Sequence, residues 1–142
     1  MRTIKFRGKR VDNGEWVYGD YHRRAGGVHC IIDMEPDERG KVCYVVHQVD
    51  PKTVGQYTGW LDSDGVGMYE GDVLNVQYNI SVDRENVCVV FGNNKVETTC
   101  GFYFSDNGTT EYGHTWDFRD FLPDRKVIGN IHDNPELLTL NK

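Results

Sequence analysis

The sequence predicts a mainly β protein, rich in hairpins and with little helix. Three observations predict it. Apolar residues alternate with polar ones at a period of two through most of the 142 residues. Turn-forming clusters punctuate those runs at short intervals. No stretch repeats apolar residues at helical spacing for long enough to make an amphipathic helix.

The elements follow in order. Ile4-Lys5-Phe6-Arg7 alternates, and so does Trp16-Val17-Tyr18 through Tyr21. Between them Asp12-Asn13-Gly14-Glu15 is a hairpin signal, because a type I′ turn needs positive φ at both central residues. With Asn13-Gly14 as the turn, Val11 faces Trp16 and Phe6 faces Tyr21. That register places Ile4, Phe6, Val17 and Tyr21 on one face. A second hairpin runs from Val28–Met34 through the polar turn Glu35–Gly40 to Lys41–Val49.

Val49–Val73 reads as a shaped connection. Pro51 presets φ, and Gly55, Gly59, Gly65, Gly67 and Gly71 supply positive φ where a tight path needs it. A domain boundary is expected near Asp50–Gly59. Asp72–Tyr78 alternates again. Asn86–Phe91 and Val96–Phe104 form a third hairpin around Gly92–Lys95, ended by Ser105-Asp106-Asn107-Gly108. Thr115–Leu122 has Trp116, Arg119 and Asp120 at helical spacing, which predicts a helical turn stopped before Pro123. Lys126–Ile131 is a last strand, and Asp133-Asn134-Pro135 turns the chain into a tail or final helical turn.

A chain of this length buries roughly 70% of its unfolded surface, enough for a core without covalent staples. No apolar run reaches the ~18 residues a membrane helix needs, so no membrane partner is expected. The chain opens directly into alternating sequence, with no secretory segment, which predicts a cytoplasmic protein. The net charge of −6 conceals an asymmetry. Residues 1–24 carry seven basic and three acidic groups, a net of +4 on an otherwise acidic chain.

That basic head supplies the candidate site residues Arg2, Lys5, Arg7, Lys9, Arg10, Arg23 and Arg24. Its cations suit a phosphate backbone, with Phe6 available to a base. Lys5, Arg7 and Lys9 alternate onto the face opposite Phe6, and the acidic remainder repels a duplex, so nucleic acid is the secondary expectation.

Other constellations are weaker. Four Cys (Cys30, Cys43, Cys88, Cys100) lack the two-to-four-residue spacing of structural zinc ligands. If the second hairpin turns about Glu38, His29 lies opposite His47, within reach of one ion. A one-residue slip undoes that pairing, and strand His and buried Cys more often pack, so no metal is expected. A three-residue loop in the third hairpin sets Cys88 opposite Cys100, two reduced thiols in a reducing compartment.

Asp62-Ser63-Asp64-Gly65 lacks the spacing and closing Glu of a calcium loop, and an Asp-rich turn explains it. Glu70 and Asp72 lie on one strand face with no sign of the burial that sets two carboxylates apart. With no nucleophile elbow, phosphate-binding loop or Cys–His–Asn arrangement, the expectation is a non-enzyme, without catalytic residues or cofactors.

Three ordered motifs resemble the YopX family of phage and prophage proteins. They are the IKFRGKR opening with its WVYGD strand, VDPKTVGQYTG with DSDGVGMYEGDVL, and VIGNIHDNPELL near the end. The sequence departs from the family's usual pattern at Trp60 and Gly67. The resemblance implies a β-rich N-terminal region, 1–57, followed by a small barrel of the Src-homology-3 type, 58–142. In it Tyr69–Val73 leads into the barrel's first strand and Val127–Ile131 closes it. The family brings no established activity. The leading expectation is a non-enzymatic phage or prophage accessory module acting through protein contact, by self-association or on a phage or host protein, because small barrels with exposed edge strands often associate through those edges.

Overall fold

The computed structural model describes residues 1–77, 84–94, 99–108, 115–116 and 124–141. It divides into two compact units, Met1–Tyr57 and Thr58–Lys142. Both are antiparallel β structures, and no α-helix occurs among the described residues.

The first unit contains β1 (Phe6–Lys9), β2 (Trp16–Arg23), β3 (His29–Pro36) and β4 (Val42–Gln48), ordered β4-β3-β2-β1. The first hairpin forms where the turn residues predict, but Phe6 pairs with Gly19 and Lys9 with Trp16. The slip is two residues, so the face assignment survives. Phe6 and Tyr21 meet on one side, their ring centroids 5.5 Å apart. Ile4 lies outside β1 and is exposed, which corrects its placement on that face. The longer turn arises because Gly14, at φ +73°, donates its N–H to Arg10 O and the Asn13 side chain accepts from Glu15 N.

The second hairpin also slips by two residues, pairing Ile31 with His47. Its turn is held by Asp37, whose side chain accepts from Arg39 N and Lys41 N. Ile31, Cys30 and Val49 are the buried apolar residues of this unit.

The supposed connection after Val49 is itself structured. Gln48–Asp50 runs back along the far edge of β1: Val11 N donates to Gln48 O (3.1 Å) and Asp50 N to Lys9 O (2.9 Å). A single 3-10 turn, Pro51–Thr53, follows, capped by the Asp50 carboxylate. β5 (Gly55–Leu61) then begins against the same edge, Arg7 pairing with Gly55 and Phe6 with Gln56. Along its length β1 is therefore held on both sides.

In the second unit the rest of β5 pairs with β6 (Gly67–Tyr69). The remaining strands are β7 (Asp72–Gln77), β8 (Arg84–Asn94), β9 (Thr99–Ser105), β10 (Thr115–Trp116) and β11 (Lys126–Asn130), in the order β10-β9-β8-β7-β11. This five-stranded antiparallel sheet stands where the resemblance implies a barrel. β8 reads as a nearly continuous apolar run because both its faces are covered. Val87 and Val89 pack with Met68, Leu74, Val76 and Phe104. Cys88 and Val90 pack with Tyr103 on the other side, against Ile131 and Leu138. Leu138 belongs to a C-terminal 3-10 segment, Pro135–Asn141.

The third hairpin departs from expectation by an odd number of residues, which exchanges faces. Cys88 pairs with Ser105, not Cys100. Cys88 is buried and Cys100 exposed, both as free thiols. Thr115–Trp116 is strand where a helical turn is expected, and 117–123 lie outside the described residues.

Candidate functional site

The basic residues of the first unit do not share one role. Lys5, Arg7 and Lys9 project to the side of β1 on which β2 places Trp16 and Tyr18. The Arg7 guanidinium sits 4.6 Å above the Trp16 ring, with Lys9 5.8 Å from the same ring and Lys5 5.6 Å from Tyr18. Cations and aromatics thus interleave across two strands, an arrangement that attracts through the ring quadrupole. Sequence reasoning sought the aromatic in Phe6, on the opposite face. Arg7 is only 6% exposed, so it is part of the packing more than of the surface.

Arg10 is engaged by Asp12, with Nε donating to the carboxylate at 2.9 Å. That contact holds the Asp12 carboxyl below its usual range and raises Arg10. Arg2 is exposed near the N-terminus. Arg23 and Arg24 are exposed at the far end of β2, beyond its last pair with β1. A shallow recess of 240 Å³ opens beside Lys5, and Asp20 and Asp33 line it with Ile4, Met34 and Tyr44. The seven cations therefore do not form one continuous track.

The histidines are apart as well. His29 shares a hydrogen bond with the Tyr21 hydroxyl (2.5 Å). His47, opposite Ile31, has Glu35 3.9 Å from its Nε2. Among the described residues no group of three potential metal ligands comes together.

In the second unit the acidic turn has structural work. One oxygen of the Asp62 carboxylate accepts from Asp64 N (2.9 Å) and Val66 N (2.8 Å), the other from Val127 N (3.1 Å). Burial would push this carboxyl up. The three N–H donors and Lys126 outweigh it, and its pKa is lowered. Ser63 adds two hydrogen bonds to Arg125 O, one from its backbone N–H and one from its hydroxyl. Asp72, expected to be unburied, is 2% exposed and accepts from Tyr69 N. Gly71, at φ +85°, makes the turn between them.

One exposed apolar feature of the first unit escaped sequence reasoning. β4 ends the strand order, and its exposed residues include Val42 (60%), Tyr44 (76%) and Val46 (45%). Met34 on β3, paired with Tyr44, is 63% exposed beside them. From Val42 to Gln48 the strand carries no Asp, Glu, Lys, Arg or Pro. Those residues are the usual means of blunting an edge.

The pairing pattern tells which backbone groups face outward. Val49 N donates to His29 O, so β4 alternates from there, its odd-numbered residues bonding β3. Val42, Tyr44, Val46 and Gln48 point their N–H and C=O away. Gln48 O is taken by Val11 N. Val42, Tyr44 and Val46 remain as the open segment.

The comparisons agree on the fold and leave the activity open. A family model described as YopX protein matches residues 5–139. The chain is similar to the crystal structure of protein EF1440 from Enterococcus faecalis. The TM-score is 0.55 and the identity 19%, over 97% of this chain and 99% of that one. No curated protein matches significantly.

Proposed function

This chain belongs to the YopX protein family, and from that premise we propose that it is a non-enzymatic phage or prophage accessory module. It acts in the cytoplasm of the host cell by binding protein through the β4 edge of its first unit. The supporting observation is the unblunted strand Val42–Gln48, with three large apolar side chains exposed beside outward-facing backbone. Backbone hydrogen bonds supply affinity in such strand addition, and alternate side chains supply specificity. No reaction is assigned.

The test is the native size of the chain in a clarified host lysate, by gel filtration and immunodetection. Wild type elutes above its 16.3 kDa, and Tyr44→Lys returns it to monomer size. A wild-type chain that is monomeric in the lysate removes the reading.

The interleaved cations and rings of β1 and β2 favour a second reading, single-stranded nucleic acid lying across Lys5, Tyr18 and Lys9. Lys5→Gln/Lys9→Gln then lowers the slope of log affinity against log salt by about 1.4, from ~0.7 per lost phosphate contact. An unchanged slope for a single-stranded oligonucleotide excludes this role.

A further inference from the structure

Resting on that reading, we propose that the occupant of the β4 edge is a second copy of this chain. The two strands pair antiparallel about a two-fold axis at Tyr44.

The register follows from what limits the open segment. At one end Val11 already occupies Gln48 O. At the other, the Asp37–Lys41 turn folds the chain away, with Asp37 N bonded to Lys41 O. Between these stops lie three outward-facing residues, Val42, Tyr44 and Val46. An odd number centred on one residue matches its own reverse, which is the requirement of an isologous interface. Pairing about Tyr44 sets Tyr44 opposite Tyr44 and Val42 opposite Val46, twice by symmetry. Every open N–H and C=O of the segment then has a partner. A two-fold axis at Val45 would instead require Gln48, whose carbonyl is engaged.

The side chains agree with this register. Each outward-facing pair is apolar on apolar, or ring beside ring, the combinations that stabilise cross-strand neighbours. No like charges meet. Lys41, at the margin, falls opposite His47, which has Glu35 3.9 Å away. Cys43 falls opposite Val45 at a site without inter-strand hydrogen bonds, where side chains approach most closely. A heterologous strand can match such an edge, but the same chain does so without any further sequence requirement.

The experiment is sedimentation equilibrium of the purified full chain over a wide concentration range, with three variants. Wild type is expected to dimerise. Tyr44→Lys places like charges on the two-fold axis and abolishes the dimer, with an unchanged circular dichroism spectrum showing that the chain still folds. Val42→Lys/Val46→Lys also abolishes it, whereas Val42→Lys/Val46→Glu retains it, because opposite charges then face each other across both symmetric pairs.

Equal behaviour of those two double variants overturns the register. A multimer indifferent to Tyr44→Lys overturns the interface. A purified monomer whose lysate form is large and sensitive to Tyr44→Lys overturns the second copy as occupant, in favour of another protein's strand, and leaves the broader function standing.

Discussion

Replacing Gly19 with alanine is expected to unfold the first unit or cost it at least about 3 kcal/mol. A Cβ on Gly19 would lie 2.1 Å from the carbonyl oxygen of Ile32 and 2.8 Å from its carbonyl carbon. These are backbone atoms of β3, held in the ladder by the Asp20–Ile32 pair. No rotamer change relieves such a contact, and moving β3 would disturb its bonds to both β2 and β4. Gly19 also stands where β2 passes from pairing with β1 to pairing with β3. The urea midpoint reports the loss, and exchange of the Tyr21 and Ile31 amides locates it. An unchanged midpoint would show that β2 and β3 approach less closely than this. Gly14→Ala is the informative contrast: its Cβ would meet nothing within 4 Å. Its cost is only that of holding an alanine at φ +73°.

Asp62→Asn is expected to destabilise the second unit by about 2–3 kcal/mol at neutral pH. An amide in the same pose keeps one accepting oxygen for Asp64 N and Val66 N. It then turns an N–H₂ toward the Val127 N–H, donor against donor, where the carboxylate accepted. The pH dependence separates this from a packing defect. The folded carboxyl titrates below its unfolded value of about 3.9. Its contribution is therefore complete above that value and disappears as pH falls through the lower folded value. Wild type should lose stability in that acidic window, and Asp62→Asn should lose less of it. Parallel stability–pH curves for the two proteins would refute this role for the charge.

Much of the fold was legible from local pattern. Asn13-Gly14 announced the first hairpin, and alternation kept the correct faces through a two-residue slip, because side-chain direction repeats every two residues. The same arithmetic explains the failure in the third hairpin. There the slip was odd, and Cys88 and Cys100 went to opposite faces. Within β8, burial on both sides left an apolar run without the alternation that would have fixed its register.

The glycine-rich stretch misled differently. Gly55, Gly59 and Gly67 lie within strands, and their residue type alone signals a turn. Sequence marked the basic head correctly as a cation-rich strand pair. It could not show that Arg7 would be covered or that Trp16 and Tyr18, not Phe6, would be its aromatic neighbours. The β4 edge was illegible for a deeper reason. Val42–Gln48 looks like any half-buried strand, and only the order of strands reveals that nothing in this unit lies beyond it.

The grip on β1 has a consequence for the order of events on the ribosome. β1 leaves the ribosome before both of its edge partners, and one of its edges waits for Gln48–Asp50 and Gly55–Gln56, more than thirty-five residues later. At usual elongation rates the nascent strand stays half-paired for on the order of a few seconds. Charged side chains at Lys5, Arg7 and Lys9 discourage a neighbouring nascent chain from pairing there during that interval. What serves the finished molecule as packing against Trp16 would thus serve the growing one as protection.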